Sequence, residues 1–182
     1  LLLLVVVVIS IFYISFRQNE QVHASSLSVA HTAEVIKIST QVELGAYDYV
    51  LASRDFVHLR TPELKSMMKQ NQVRLTGYID QLAQLEKKDI EQTRTIDSMR
   101  SGVARLLQLA GTIDSIHSSK DSPWRDKALK DVKTEMRLML GQLNKHSERL
   151  KELEDIERDQ RRTEGENFLY WSKRILYAVL LV

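Results

Sequence analysis

The chain reads as an all-α protein: an antiparallel up-down four-helix bundle whose long first and last helices continue into two transmembrane helices. Three observations predict this. Only 6 Gly and 2 Pro occur in 182 residues, too little turn chemistry for a sandwich or barrel, whose turns recur about every 8–12 residues. Between Arg17 and Arg174 the apolar residues recur at spacings of three and four, the helical period. The most apolar stretches are confined to the two ends.

The first element is the run Leu1 to Phe16, which has no charge and only Ser10 and Ser15 as polar residues. Its counterpart is the wholly apolar run Ile175 to Val182. A spanning helix needs about 20 apolar residues to cross a hydrocarbon core of about 30 Å. Each run is therefore read as part of a span: residues 1–16 as a truncated first membrane helix, 173–182 as the start of a second. A secretory signal would place a small-residue cleavage site after its apolar core, whereas Arg17-Gln18-Asn19-Glu20 follows here. Tyr170 and Trp171 fit the headgroup level, where amphipathic rings are enriched. Arg17, Lys173 and Arg174 mark the boundary, their long stems free to snorkel. Lys173 and Arg174 also account for the whole net charge of +2, so the basic balance describes a membrane edge and not a nucleic-acid surface.

Residues 17–172 form the section between the spans. The first helix leaves the lipid with Val29, Ala33, Ile36, Thr40, Leu44, Tyr47 and Leu51 on one stripe and is expected to end near Ser53-Arg54-Asp55, with a short helical turn over Phe56 to Arg60. Thr61-Pro62-Glu63 opens the second helix as N-cap, first-turn proline and first-turn acid. Its stripe is Leu64, Met68, Asn71, Leu75, Tyr78, Leu82 and Leu85. After the polar break Glu86 to Asp89, the third helix carries Ile96, Met99, Val103, Leu106, Ala110 and Ile113. Ser118 to Pro123 is the clearest loop, and Ser122-Pro123 repeats the start signal. The fourth helix carries Leu129, Val132, Met136, Met139, Leu143, His146, Leu150 and Leu153 and runs on to the lipid. Four amphipathic helices with short connections pack most simply as an up-down bundle. At 1.5 Å per residue the first and fourth helices outside the membrane reach roughly 55 and 73 Å, against roughly 40–45 Å for the middle pair. The thin stripe between Lys145 and Glu166 suits a two-helix stalk, or a solvated face held by charge pairs.

Enzyme signatures are missing: no Gly-rich phosphate loop, no HExxH, no GxSxG, and no cysteine for a thiol nucleophile or thiolate metal site. No catalytic residue, metal or cofactor is expected. Of the five His residues, His146 lies on the core stripe and reads as structural. Thr40 and Asn71 interrupt their stripes and read as buried polar residues that fix register. Polar and aromatic residues converge at the membrane-distal tip, where Tyr49, Arg54, Arg60, Trp124 and Arg125 are the candidate ligand-binding residues. Guanidinium groups and an indole there suit an anionic or aromatic small ligand. Against this stands the plainer reading: loop ends of any bundle are polar, and Trp124 packs over the core as a cap.

A helical bundle of this size between two membrane spans resembles the extracytoplasmic sensor domains of bacterial receptors: sensor histidine kinases, chemoreceptors and diguanylate cyclases. The stretch Tyr49-Val50-Leu51-Ala52-Ser53-Arg54-Asp55-Phe56 resembles the CHASE3 pattern at Tyr49, Leu51 and Phe56, while Ala52-Ser53-Arg54 replaces its Thr-Gly-Asp element. The resemblance implies a periplasmic domain on the bacterial inner membrane, a homodimer through the first and fourth helices, and a small-molecule or periplasmic protein ligand. It also implies a fourth helix that passes a displacement to a cytoplasmic output module. The alternative is a membrane-anchored coiled-coil assembly protein without signalling.

Overall fold

The computed structural model describes residues 2–86, 89–118 and 124–181. Among them the chain is helical almost throughout, in four helices: α1 (Leu2–Leu59), α2 (Pro62–Leu85), α3 (Ile90–Ser118) and α4 (Trp124–Leu181). The start of α2 follows from its sequence: Thr61 is extended, its Oγ1 accepts from the Leu64 amide at 3.4 Å, and Pro62 occupies the first turn. The α2–α3 break is closed at both ends. Glu86 caps α2 through its amide to the Leu82 carbonyl, and Asp89 Oδ1 accepts from the Glu91 and Gln92 amides at 2.7 and 2.8 Å. The second start signal, Ser122-Pro123, lies outside the described residues, as does most of the loop that contains it.

The end of α1 differs from expectation. Phe56 to Leu59 continue the helix, which stops at Arg60. There φ is 51° and the amide donates to the Phe56 carbonyl at 3.0 Å. A residue in the left-handed region just past a helix closes its last carbonyls, and a non-glycine there carries a cost of about 1–2 kcal/mol.

Two compact units are distinguished, Val35–Leu153 and a second formed by Leu1–Glu34 with Glu154–Val182. In the first, the expected stripes of α2, α3 and α4 are the buried ones. Leu75 and Leu82 of α2, all six predicted residues of α3, and Leu129, Val132, Met136, Leu143 and Leu150 of α4 lie in one apolar core. Ile79 joins them. Each such side chain contributes roughly 1.5–3 kcal/mol by leaving water. Gly102 lets Leu143 close onto α3: a Cβ there would stand 3.3 Å from its Cδ2.

The α1 stripe is a correction. Leu44 is 59% exposed, and Tyr47 and Leu51 are exposed beside it. The buried face instead holds Val35, Ser39, Val42, Ala46, Tyr49 and Ser53. The two stripes are offset by two residues, about 200° around a helix, so α1 carries apolar periodicity on nearly opposite sides. The face with small residues goes inward because it leaves volume for the neighbouring core. Of the two expected register-fixing residues, Asn71 is half-buried, and half-buried Thr40 donates to its own helix at Ile36 O, 2.9 Å away. The buried polar contact is elsewhere: Ser39 Oγ of α1 meets Ser147 Oγ of α4 at 2.7 Å, both fully buried. Beside it Lys151 Nζ donates to Glu43 Oε2 and Glu148 Oε1 at 3.4 and 2.8 Å.

The second unit has a different interior. Its buried residues among those described are Ser28, Thr32, Glu154 and Ser172. Val8, Ile9, Tyr13, Phe16, Leu169 and Ile175 are exposed, and Phe12 is 72% exposed. Arg161 Nη1 donates to Ser28 Oγ at 2.5 Å, with Glu157 on its other side. Near the end of α4, Tyr170 and Trp171 meet edge to face at 6.1 Å, and the Arg174 guanidinium lies 4.8 Å from the Tyr170 ring centre. Over the described residues, no helix is long and apolar enough to cross a membrane. Both apolar runs include side chains outside the described set.

Candidate functional site

The five sequence-predicted tip residues do not form one site. Tyr49 is 4% exposed within the α1 core face, and burial pushes its phenol pKa up. Its ring is a packing element. Arg54 lies on the exposed side of α1 and is held by Asp55, with Nη2 and Nε at 3.0 and 3.1 Å from Oδ1. Arg60 is exposed and serves the helix end. Trp124 opens α4 at 71% exposure, so it is not the core cap that the plainer reading expects. Arg125 lines a cleft.

That cleft, of about 600 Å3, lies between the last turn of α1 and the first turns of α4. Its floor is Val57 and Leu129, both buried core residues. Around it stand Arg125, Lys130, Lys133 and Arg137 of α4, with His58 of α1 at the edge. The one carboxylate in the lining is Asp126, 3.9 Å from Arg125. The α4 residues reach the cleft because Arg125, Leu129, Lys133 and Arg137 repeat at four, forming one ridge down the helix. Lys130, Lys133 and Arg137 were not among the sequence candidates. The signal that finds Lys133 and Arg137 is this i,i+4 repeat around a core leucine, visible once the buried face of α4 is fixed.

Two other hollows differ in chemistry. A groove of about 440 Å3 between α3 and α4 holds Asp97, Ser101, Gly102 and His146. His146 is half-buried there, in keeping with its place on the core stripe. In the second unit, a cleft of about 530 Å3 is lined by Val22, Leu169, Arg161 and Arg162. Its cations are matched: Arg161 by Glu157, and Arg162 by Glu166 at 3.0 Å. The tip cleft holds four cations against one acid, and a further hollow on α2 holds Lys69 and Arg74 with no acid but no core residue at its floor.

Comparison of the chain with protein-family models, curated proteins and solved structures gives no match.

Proposed function

We propose that this chain is the signal-input part of a bacterial inner-membrane receptor such as a sensor histidine kinase. Residues 1–16 and 173–182 belong to two membrane spans, and residues 17–172 form a periplasmic sensor domain. The bundle is up-down and antiparallel. Arg149 pairs with Glu91 and Arg105 with Glu135, so α3 and α4 run in opposite directions along that contact. Two copies associate through α1 and α4, and α4 passes a displacement through the second span to a cytoplasmic output module. A ligand that prefers one packing shifts the balance of two by its differential affinity.

The observation that carries this reading is the outward apolar surface of the two end runs, where Val8, Ile9, Phe12, Phe16 and Ile175 are all exposed. Such a surface is costly in water and suits hydrocarbon, and the Tyr170, Trp171 and Arg174 cluster suits the headgroup level beside it. The exposed stripe through Leu44, Tyr47 and Leu51 supports helix pairing. It equally supports a second reading, a membrane-anchored assembly protein without signalling.

One experiment separates the two. The chain is fused after Val182 to a receptor's cytoplasmic kinase module, and one residue is inserted beside Gly165, rotating α4 by about 100°. A receptor input should change kinase output several-fold. An assembly protein should stay in the membrane fraction and form disulfides between copies at Leu44→Cys, with output unchanged. Unchanged output rejects the receptor reading, and recovery of the chain in the soluble fraction rejects both.

A further inference from the structure

The tip cleft gathers four cations and one carboxylate around an apolar floor. On the neighbouring faces, cations are answered by acids: Arg105 by Glu135 at 2.5 Å, Arg149 by Glu91 at 2.6 Å, Arg100 by Asp80 at 3.4 Å. Lys130, Lys133 and Arg137 have no carboxylate within ion-pair distance among the described residues. They stand with Arg125 around one concavity. Like charges at four-residue spacing on a helix repel, as Lys133 and Arg137 do here, and an anion between them relieves that repulsion. Asp126 offsets little of that, since its side chain is 92% exposed.

We propose that this cleft binds a small multivalent oxyanion, a compound with two or three carboxylates or a phosphate and a short carbon skeleton. Arg125 and Arg137 each offer a planar fork that matches two oxygens of a carboxylate or phosphate. The lysines add point charges that tolerate either geometry. Val57 and Leu129 at the floor take the carbon skeleton. The volume falls within the ~300–1,000 Å3 of small-molecule sites. A small anion fits better than a nucleic-acid strand because the cations do not continue as a stripe.

Binding is measured on the 182-residue chain in detergent micelles, with no output module, so its outcome is independent of the receptor reading. Citrate and, separately, pyrophosphate are titrated at constant ionic strength set with chloride. At about tenfold excess over Kd the unfolding midpoint should rise by roughly 3–6 °C. Citrate acting alone marks a carboxylate ligand, pyrophosphate alone a phosphate ligand, and both acting the shared oxyanion chemistry. The pair Lys133→Gln and Arg137→Gln should weaken binding at least tenfold, each alone about threefold or more. Asp126→Asn should not weaken it, and Lys69→Gln on α2 should leave it unchanged. Because these side chains are on the surface, retained helical circular dichroism is expected. Should the double variant lose helix content, the single variants decide. No shift with either anion, or a shift that survives the cleft substitutions, overturns the proposal.

Discussion

The two units of this chain obey opposite burial rules. In Val35–Leu153 the buried set is mostly apolar, 21 residues in one cluster, with the polar exceptions hydrogen-bonded or at helix ends. In the unit formed by the outer parts of α1 and α4, every buried residue among those described is polar and the large apolar side chains face out. Both are built from the same helices by the same backbone chemistry. On the membrane reading proposed above, the solvent differs at the apolar ends: water strips apolar surface inward, whereas hydrocarbon gives no such drive.

The contrast can be tested by substitution. The largest effect is expected at Leu106→Ala, a fully buried site, which should cost about 2–5 kcal/mol in chemical unfolding; Phe12→Ala in the outer unit should stay within about 0.5 kcal/mol. Equal costs would mean that the outer unit has a water-driven core after all. Next comes the polar contact inside the apolar unit. Ser39→Ala leaves the Ser147 hydroxyl only its longer bond to Glu43 Oε2 at 3.4 Å and should cost about 0.5–1.5 kcal/mol, while the double change to Ala at both positions should cost less than the two singles summed. Strict additivity would show that the two hydroxyls do not depend on each other.

The smallest effect is a pH dependence. Burial raises the Tyr49 pKa above its usual 10.0, so the folded state holds that proton more tightly than the unfolded chain. The resulting stability is fully present below pH 10 and is lost as pH rises through the folded value. Lys151 adds the same sign. Burial pulls its pKa down, but hydrogen bonds and charges from Glu148 and Glu43 outweigh this and leave it raised. Thermal melts between pH 8 and 11.5 should therefore show falling stability above pH 10, with a shallower fall in Tyr49→Phe. An identical slope in the variant would place the effect elsewhere.

Most of the bundle is legible in the sequence because α2, α3 and α4 each carry one apolar stripe, so period and face coincide. The α2 start is legible for a local reason, since Thr61 and Pro62 act within one turn. On α1 the same method chooses the wrong face. Leu44, Tyr47 and Leu51 outweigh Ser39, Ala46 and Ser53 in bulk, yet small residues are what the interior accommodates there. The tip fared similarly. Arg54 and Arg60 look like ligand residues by position, but which of them converge depends on helix phase and on where α1 stops. Arg125 was found by its place at a helix start, whereas Lys133 and Arg137 sit mid-helix and become visible only against the buried ridge.

Two kinds of hydroxyl contact occur among the buried serines and threonines of α1, α3 and α4. Ser39 and Ser147 answer each other across two helices, but Ser53 donates to Tyr49 O at 2.8 Å and Thr95 to Glu91 O at 2.9 Å, each within its own helix. A hydroxyl bonded to its own helix asks nothing of its neighbour. Such positions can drift to alanine over evolutionary time without a matching change elsewhere, whereas Ser39 and Ser147 are expected to change together or not at all. Related sequences, once aligned, should show that pair covarying while Ser53 and Thr95 wander independently.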